Sequence, residues 1–277
     1  MRWSYLTPDS SCFRQVYKCD RDHCEQSATE HSRIGATTKL QPQKRPDLGI
    51  AMVPTSIEAV QRFFRKSRSR LLVEQIDRLA ARLDRPVRIL DVGGRARFWD
   101  TVETNNIASI AIANIHEADI SATSAKFNMR GVYADALDLS RFNDGQFDMV
   151  VSNSMIEHLG SWKNIKACAA QLQSVANCGY VQTPSFWFPI EQHFMIPFFH
   201  WLPPQLRVIL LPYLPRAGYE DVGSVDNVRQ YVEEINLVTG RELEFLFPAA
   251  RLHKEKILFF TKSYAAVWDG LAHADSR

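Results

Sequence analysis

With 277 residues and 45% hydrophobic content, the chain is long enough to bury a sizeable core, which excludes a disordered polypeptide. Its 33 Lys+Arg against 31 Asp+Glu leave a formal charge of +2, so no overall field draws the protein to nucleic acid. The cysteines Cys12, Cys19, Cys24, Cys168 and Cys178 are odd in number and scattered, which argues against a disulfide framework and for a reducing, cytoplasmic setting.

Residues 1–50 are rich in Ser, Thr, Gln, Lys and Arg, lack apolar periodicity and contain no apolar h-region, so they read as a poorly ordered extension and not a secretory leader. Cys12, Cys19 and Cys24, with His23 and His31 nearby, lack the C-x2-C knuckles of structural zinc, and no metal is assigned to them. Residues 51–277 read as one domain. Thr55 and Glu58 have capping-box spacing and open a helical stretch that runs, with interruptions, to Leu83. Leu72, Ile76, Leu79 and Leu83 keep helical spacing there, which leaves the accompanying arginines on a solvated face, and Pro86 ends the stretch.

Val87, Ile89, Leu90 and Val92 form a short apolar run that stops at Gly93-Gly94, the pattern of a strand buried in a parallel sheet, with Asp91 at its carboxyl end. A helix is predicted from Phe98 to Thr104, a second strand from Ile107 to Asn114, a helical piece from Ala118 to Lys126, and a third strand from Gly131 to Ala134 with Asp135 at its end. Phe147 to Asn153 is a fourth strand, Lys163 to Ala176 a helix, and Tyr180-Val181-Gln182 a fifth strand. From 184 to about 240 an aromatic- and proline-rich insertion breaks this rhythm. Arg241 to Leu246 reads as helical, and Arg251 to Val267 as two closely connected strands, one of them antiparallel at the sheet edge. Strands alternating with helices call for an α/β fold, a mostly parallel sheet with helices on both faces. No internal repeat is present, and prolines and Arg207 interrupt the most apolar region, Phe194 to Leu214, so no transmembrane segment is predicted.

Polar residues now stand at four strand ends: Asp91-Val92-Gly93, Asn114, Asp135-Ala136, and Ser152-Asn153 followed by Glu157-His158. In this order and spacing, and in the strand F-D-M-V-V-S-N-S followed by I-E-H-L, the chain resembles the class I S-adenosylmethionine-dependent methyltransferases, in particular the type 11-like branch. The resemblance covers Val87 to Pro184 strongly and the carboxyl-terminal strands more loosely. It implies a Rossmann-like seven-stranded sheet and S-adenosylmethionine as cofactor. It also implies that Asp91, Gly93 and Gly94 receive the methionine part, that Asn114 takes the place of an acidic ribose ligand with Glu117 as a possible substitute, that Asp135 and Ala136 hold adenine, and that Ser152 and Asn153 lie beside the sulfonium. Glu157 and His158 fall at the mouth of the acceptor site. Two of the family's three glycine positions carry Arg95 and Arg97 here, whereas L-D-V-G-G followed by Phe98-Trp99 matches a subset of the family.

The implied reaction is in-line methyl transfer to a small, partly apolar acceptor at oxygen or nitrogen, with His158 or His193 as the base and no metal required. A dinucleotide dehydrogenase would need G-x-G-x-x-G, and Arg95 and Phe98 occupy the later glycine positions. A methyltransferase-like scaffold without turnover is the reading from another class. Phe186, Trp187, Phe188, Phe194, Phe198, Phe199 and Trp201 are candidates for the acceptor wall, with Glu191, His193 and His200 as its polar groups, against the plainer account of a structural cap. Contact with a membrane surface is a weaker alternative, because the segment lacks a basic face. The sequence does not fix the oligomeric state.

Overall fold

Val87–Val92 (β1) is the centre of the fold because both of its faces are covered. Val87 and Ile89 pack in one apolar cluster and Leu90 and Val92 in another, on opposite sides of the sheet. The computed structural model describes residues 55–121, 126–190, 193–194, 196–214 and 224–270, the side chains of 55–68 and of 118 excepted. The expected extension over 1–50, its cysteines and histidines, the Thr55–Glu58 capping pair and Glu191 therefore lie outside the described residues and side chains.

The remaining strands are Ile107–Asn114 (β2), Met129–Tyr133 (β3), Met149–Asn153 (β4), Gly179–Pro184 (β5), Arg251–Ile257 (β6) and Phe260–Trp268 (β7). They form one seven-stranded sheet in the order β3-β2-β1-β4-β5-β7-β6. β1 pairs in parallel with β2 and β4, β2 with β3, and β4 with β5, whereas β7 runs antiparallel to both β5 and β6. The antiparallel strand thus lies one place in from the sheet edge, with β6 outermost. The order reverses between β1 and β4, so the crevice beyond their carboxyl ends is a topological switch point, where open α/β sheets take their ligands.

Helix Thr55–Leu83 (α1) is continuous, without the interruptions predicted, and packs Leu72, Ile76 and Leu79 on one face of the sheet. Helices Trp162–Val175 (α4) and Gly240–Leu246 (α7) cover the other face through Ile165, Leu172, Leu243 and Leu246. The helix predicted over Phe98 to Thr104 is instead Ala96–Trp99 (α2). It starts earlier and stops at once because the Trp99 indole is fully buried and hydrogen-bonded to Asp91, and the chain then turns through Val102 N–H to Trp99 C=O. The helical piece expected at Ala118 to Lys126 is described as Glu117–Ser121 (α3).

One charged clamp sets the register of the central strands. Arg85 donates to both Asp148 oxygens at 2.8 and 2.7 Å, and Arg88 donates to the same carboxylate through Nε, Nη2 and its backbone N–H. Partial burial works against the Asp148 charge, but the hydrogen bonds from Arg85 and Arg88 win and hold its carboxyl well below the usual range.

The insertion is more regular than its prolines suggest. It contains Pro204–Leu210 (α5), with proline at its first position, and Val225–Glu234 (α6), capped by Ser224. Phe194, Phe199, Leu211, Val228, Val232 and Ile235 form a small core of their own between these pieces. No helix among the described residues is long and apolar enough to cross a membrane.

Candidate functional site

Asp91 closes the floor of the crevice. It is fully buried, its Oδ2 accepts from Trp99 Nε1 at 2.7 Å, and its Oδ1 has no hydrogen-bond partner among the described residues. Burial outweighs the indole's hydrogen bond and pushes its carboxyl up to about 7. Gly93 follows at φ +72° and donates to Ala113 C=O, and a Cβ there would stand 2.1 Å from Met155 Cγ. A Cβ on Gly94 would stand 1.7 Å from Asp91 Oδ2, so both glycines are required by the local packing itself.

At the end of β2 the buried Asn114 amide is committed to the protein. Its Nδ2 donates to Gly94 C=O at 3.1 Å, and its Oδ1 accepts from His116 N–H at 3.1 Å. Asn114 therefore staples the glycine loop to β2. The carboxylate brought to this point is Asp119, which lies 3.4 Å from Asn114 Nδ2 and pairs with Arg95 Nε at 3.2 Å, whereas Glu117 is exposed. Arg95, at a position where the family carries glycine, thus acts as a partner for Asp119.

Asp135 lies exposed beyond β3, with Oδ1 accepting from Leu137 N–H at 2.9 Å in a turn that also presents Ala136. Ser152 is buried and donates to Val92 C=O, which joins the ends of β4 and β1. Asn153 follows with a buried Oδ1 that has no hydrogen-bond partner among the described residues. Two unpartnered oxygen acceptors, on Asp91 and Asn153, therefore lie at the adjoining ends of β1 and β4. They suit the ammonium and sulfonium of a bound S-adenosylmethionine better than an anion.

Beyond β4 the chain turns through a 3-10 segment, Ile156–His158. Glu157 is fully buried, and its Oε2 accepts from Thr183 Oγ1 at 3.0 Å. His158 faces outward and meets His193 of the insertion, Nε2 to Nε2 at 3.1 Å with the rings at 88°. The ligand atoms of Glu157, His158 and His193 all lie within 4.8 Å of one another. On the other side of β5, Ser154 Oγ donates to Gln182 Oε1, and Gln182 Nε2 has no hydrogen-bond partner among the described residues. Gln182 lines a cavity of about 300 Å³ with Arg70, Glu74, His253 and Glu255, where burial and the neighbouring Arg251 push the His253 imidazole below its ordinary value.

The aromatic residues of the insertion divide into two sets. Phe194 and Phe199 are buried in the small core, and Trp187, Phe198 and Trp201 are exposed, with centroids 6.2 Å (Trp187 to Trp201) and 5.1 Å (Phe198 to Trp201) apart. Phe186 C=O accepts from Trp201 Nε1, and the buried His200 lies 2.9 Å from the same oxygen.

Residues 90–178 match the family profile described as a methyltransferase domain, a stretch that runs from within β1 through α4 and includes all four strand ends. Over these residues the chain carries a methyltransferase domain. No curated protein matches it significantly. Among solved structures, the chain is similar to magnesium protoporphyrin IX methyltransferase from Synechocystis PCC 6803 with bound S-adenosylhomocysteine, at 12% identity and a TM-score of 0.46, over 79% of this chain and 90% of that one. It is similar to the plantazolicin methyltransferase BamL at 12% identity and 0.45, over 78% and 89%. It is similar to WbdD at 15% identity and 0.44, over 74% of this chain and only 40% of WbdD. The chain thus spans less than half the length of the WbdD structures.

Sequence reasoning missed Asp119, Thr183 and the Ser154–Gln182 pair, and noted Trp99 only as part of the Phe98-Trp99 pair that follows L-D-V-G-G. Asp119 carried a signal, as an acidic residue five positions after Asn114.

Proposed function

We propose that this chain is a class I S-adenosylmethionine-dependent methyltransferase that transfers a methyl group to an oxygen or nitrogen atom of a small, partly apolar acceptor. Asp91 with the Gly93-Gly94 turn, and Asn153, would take the methionine end, Asp119 the ribose, and Asp135 with Ala136 the adenine. The cofactor supplies a methyl group on a sulfonium sulfur, which is intrinsically reactive. What remains for the chain is to hold the acceptor in line with that group and keep water away, an effect that can supply roughly 7 to 11 kcal/mol.

The observation that carries the reading of the acceptor is the convergence of Glu157 and His158, just after β4, with His193 of the insertion, a segment that also carries the exposed Trp187, Phe198 and Trp201. The insertion leaves β5 at its carboxyl end, where Ser185 N–H bonds Lys262 C=O, so its aromatic residues start from the same end of the sheet as the crevice. A few polar groups beside an aromatic surface suit a small amphipathic molecule.

The test is incubation with S-adenosylmethionine labelled in its methyl group, against small aromatic alcohols, aromatic amines, protein and nucleic acid. Label is expected on a hydroxyl- or amine-bearing small molecule, with Trp187→Ala raising KM more than it lowers kcat. Label found only on protein or nucleic acid, or on carbon, would sink the proposal.

A further inference from the structure

The Glu157, His158 and His193 cluster has more geometry than an acceptor clamp needs. We infer that these three side chains form a binding site for a divalent first-row transition cation, with zinc as the reference ion, and that the bound cation receives a hydroxyl oxygen of the acceptor. The inference deepens the methyl-transfer reading and rests on it for the role of the cation, though not for its binding.

The distances fit a shared coordination sphere. Ligand nitrogens about 2.0 to 2.1 Å from one zinc ion lie roughly 2.9 Å apart at right angles and about 3.4 Å apart in a tetrahedron. The 3.1 Å between His158 Nε2 and His193 Nε2 falls in that interval, and the perpendicular rings let both nitrogens face one point. Two imidazoles and one carboxylate are a donor set for zinc, iron(II), cobalt(II) or manganese(II), and leave positions for water or substrate.

The surroundings hold the ligands in place. Thr183 Oγ1 donates to the Glu157 carboxylate, and Glu157 C=O accepts from Asn236 N–H at 2.8 Å. Tyr231 of α6 donates to His193 C=O at 3.2 Å, so the insertion's own helix holds the distant ligand. Such supports around a metal site fix the direction of its ligands. Burial is graded across the set, with Glu157 buried, His193 intermediate and His158 exposed, so the open positions face outward.

The chemistry balances. An acceptor hydroxyl bound through its oxygen becomes a stronger acid and loses its proton to water. That oxygen then forms a bond to the methyl carbon as the carbon–sulfur bond breaks, and the electron pair stays on sulfur to give the neutral thioether. This supplies what a free imidazole base was expected to supply from the sequence.

The experiment uses the full chain, stripped with a chelator and titrated first with zinc against a chromogenic competitor and then with cobalt(II), whose visible bands report coordination. S-adenosylhomocysteine affinity is measured on every sample as a control for folding and for the methyltransferase reading. One equivalent is expected, with cobalt bands of an imidazole-bound ion, and with at least tenfold weaker binding in His158→Ala and in the milder His193→Asn. No binding to the wild-type chain, or binding that neither variant weakens, overturns the inference while leaving cofactor affinity to judge methyl transfer separately.

Discussion

Asp91 shows how one residue can be legible in the sequence while its chemistry is not. A carboxylate at the end of a buried strand before Gly93-Gly94 marked the crevice, but nothing in V-R-I-L-D-V-G-G said that Trp99 would seal it from water. The folded carboxyl keeps its proton up to about pH 7, whereas the unfolded one loses it near 3.8. The stability tied to this carboxyl is therefore fully present below pH 3.8 and falls by on the order of 4 kcal/mol in total as pH rises to about 7, with no further change above it. Asp91→Asn keeps an acceptor for the indole and removes the ionisation. Urea unfolding of both proteins should show the variant gaining on the wild type between pH 5 and pH 8, and a gap independent of pH would mean that Asp91 titrates as an ordinary carboxylate. Asn114 was legible only in position. Its place predicted a ribose contact, but the amide is spent on Gly94 and His116, because a backbone carbonyl and N–H lie closer than any ligand and need partners first.

At the scale of elements, the central parallel strands could be read because their middles are covered on both faces and so carry short continuous apolar runs, as in M-V-V at β4 and I-A-I-A at β2. Helix α7 was read over Arg241 to Leu246 without its cap, which the structure shows to be Thr239 and Glu242 at capping-box spacing. The structure contains both bonds, Thr239 Oγ1 accepting from Glu242 N–H and Glu242 Oε2 accepting from Thr239 N–H at 2.7 Å. In a helix of seven residues such a cap is a large share of the local stability. Thr239→Ala should cost about 1 kcal/mol, read as a lower urea midpoint at unchanged slope. A midpoint within error of wild type would show that burial of Leu243 and Leu246 holds the helix without its cap. Helices α5 and α6 were not read, for a different reason. Prolines and a dense run of aromatics masked the first, and Val228 and Val232 mark the second only once a separate small core is known to exist for them to face. His193 likewise reaches His158 across 35 positions through that core, a contact no spacing rule contains.

For the whole molecule, the order of strand ends carried more information than any single motif, because a fixed topology turns four weak local signals into one crevice. The same crevice ties cofactor affinity to global stability, since a ligand that binds only the folded state raises its stability by RT ln(1 + [L]/Kd). S-adenosylhomocysteine at 100 times its Kd should add about 2.7 kcal/mol. For a domain of this size, that is a rise in melting temperature of about 5 to 10 °C. Two substitutions then separate a ligand contact from a loop support. Asp135 is exposed and bonds only its own turn among the contacts described, so Asp135→Ala should leave the melting temperature of the free protein within about 2 °C while removing most of the rise. Asn114 is buried and joins the glycine loop to β2, so Asn114→Ala leaves Gly94 C=O and His116 N–H without their partner and should lower the melting temperature of the free protein by several degrees as well. Differential scanning calorimetry of the three proteins, with and without the ligand, reads both effects. A full rise in Asp135→Ala would move the adenine pocket away from the end of β3, and an unchanged free Asn114→Ala would show that the glycine loop stands without its staple.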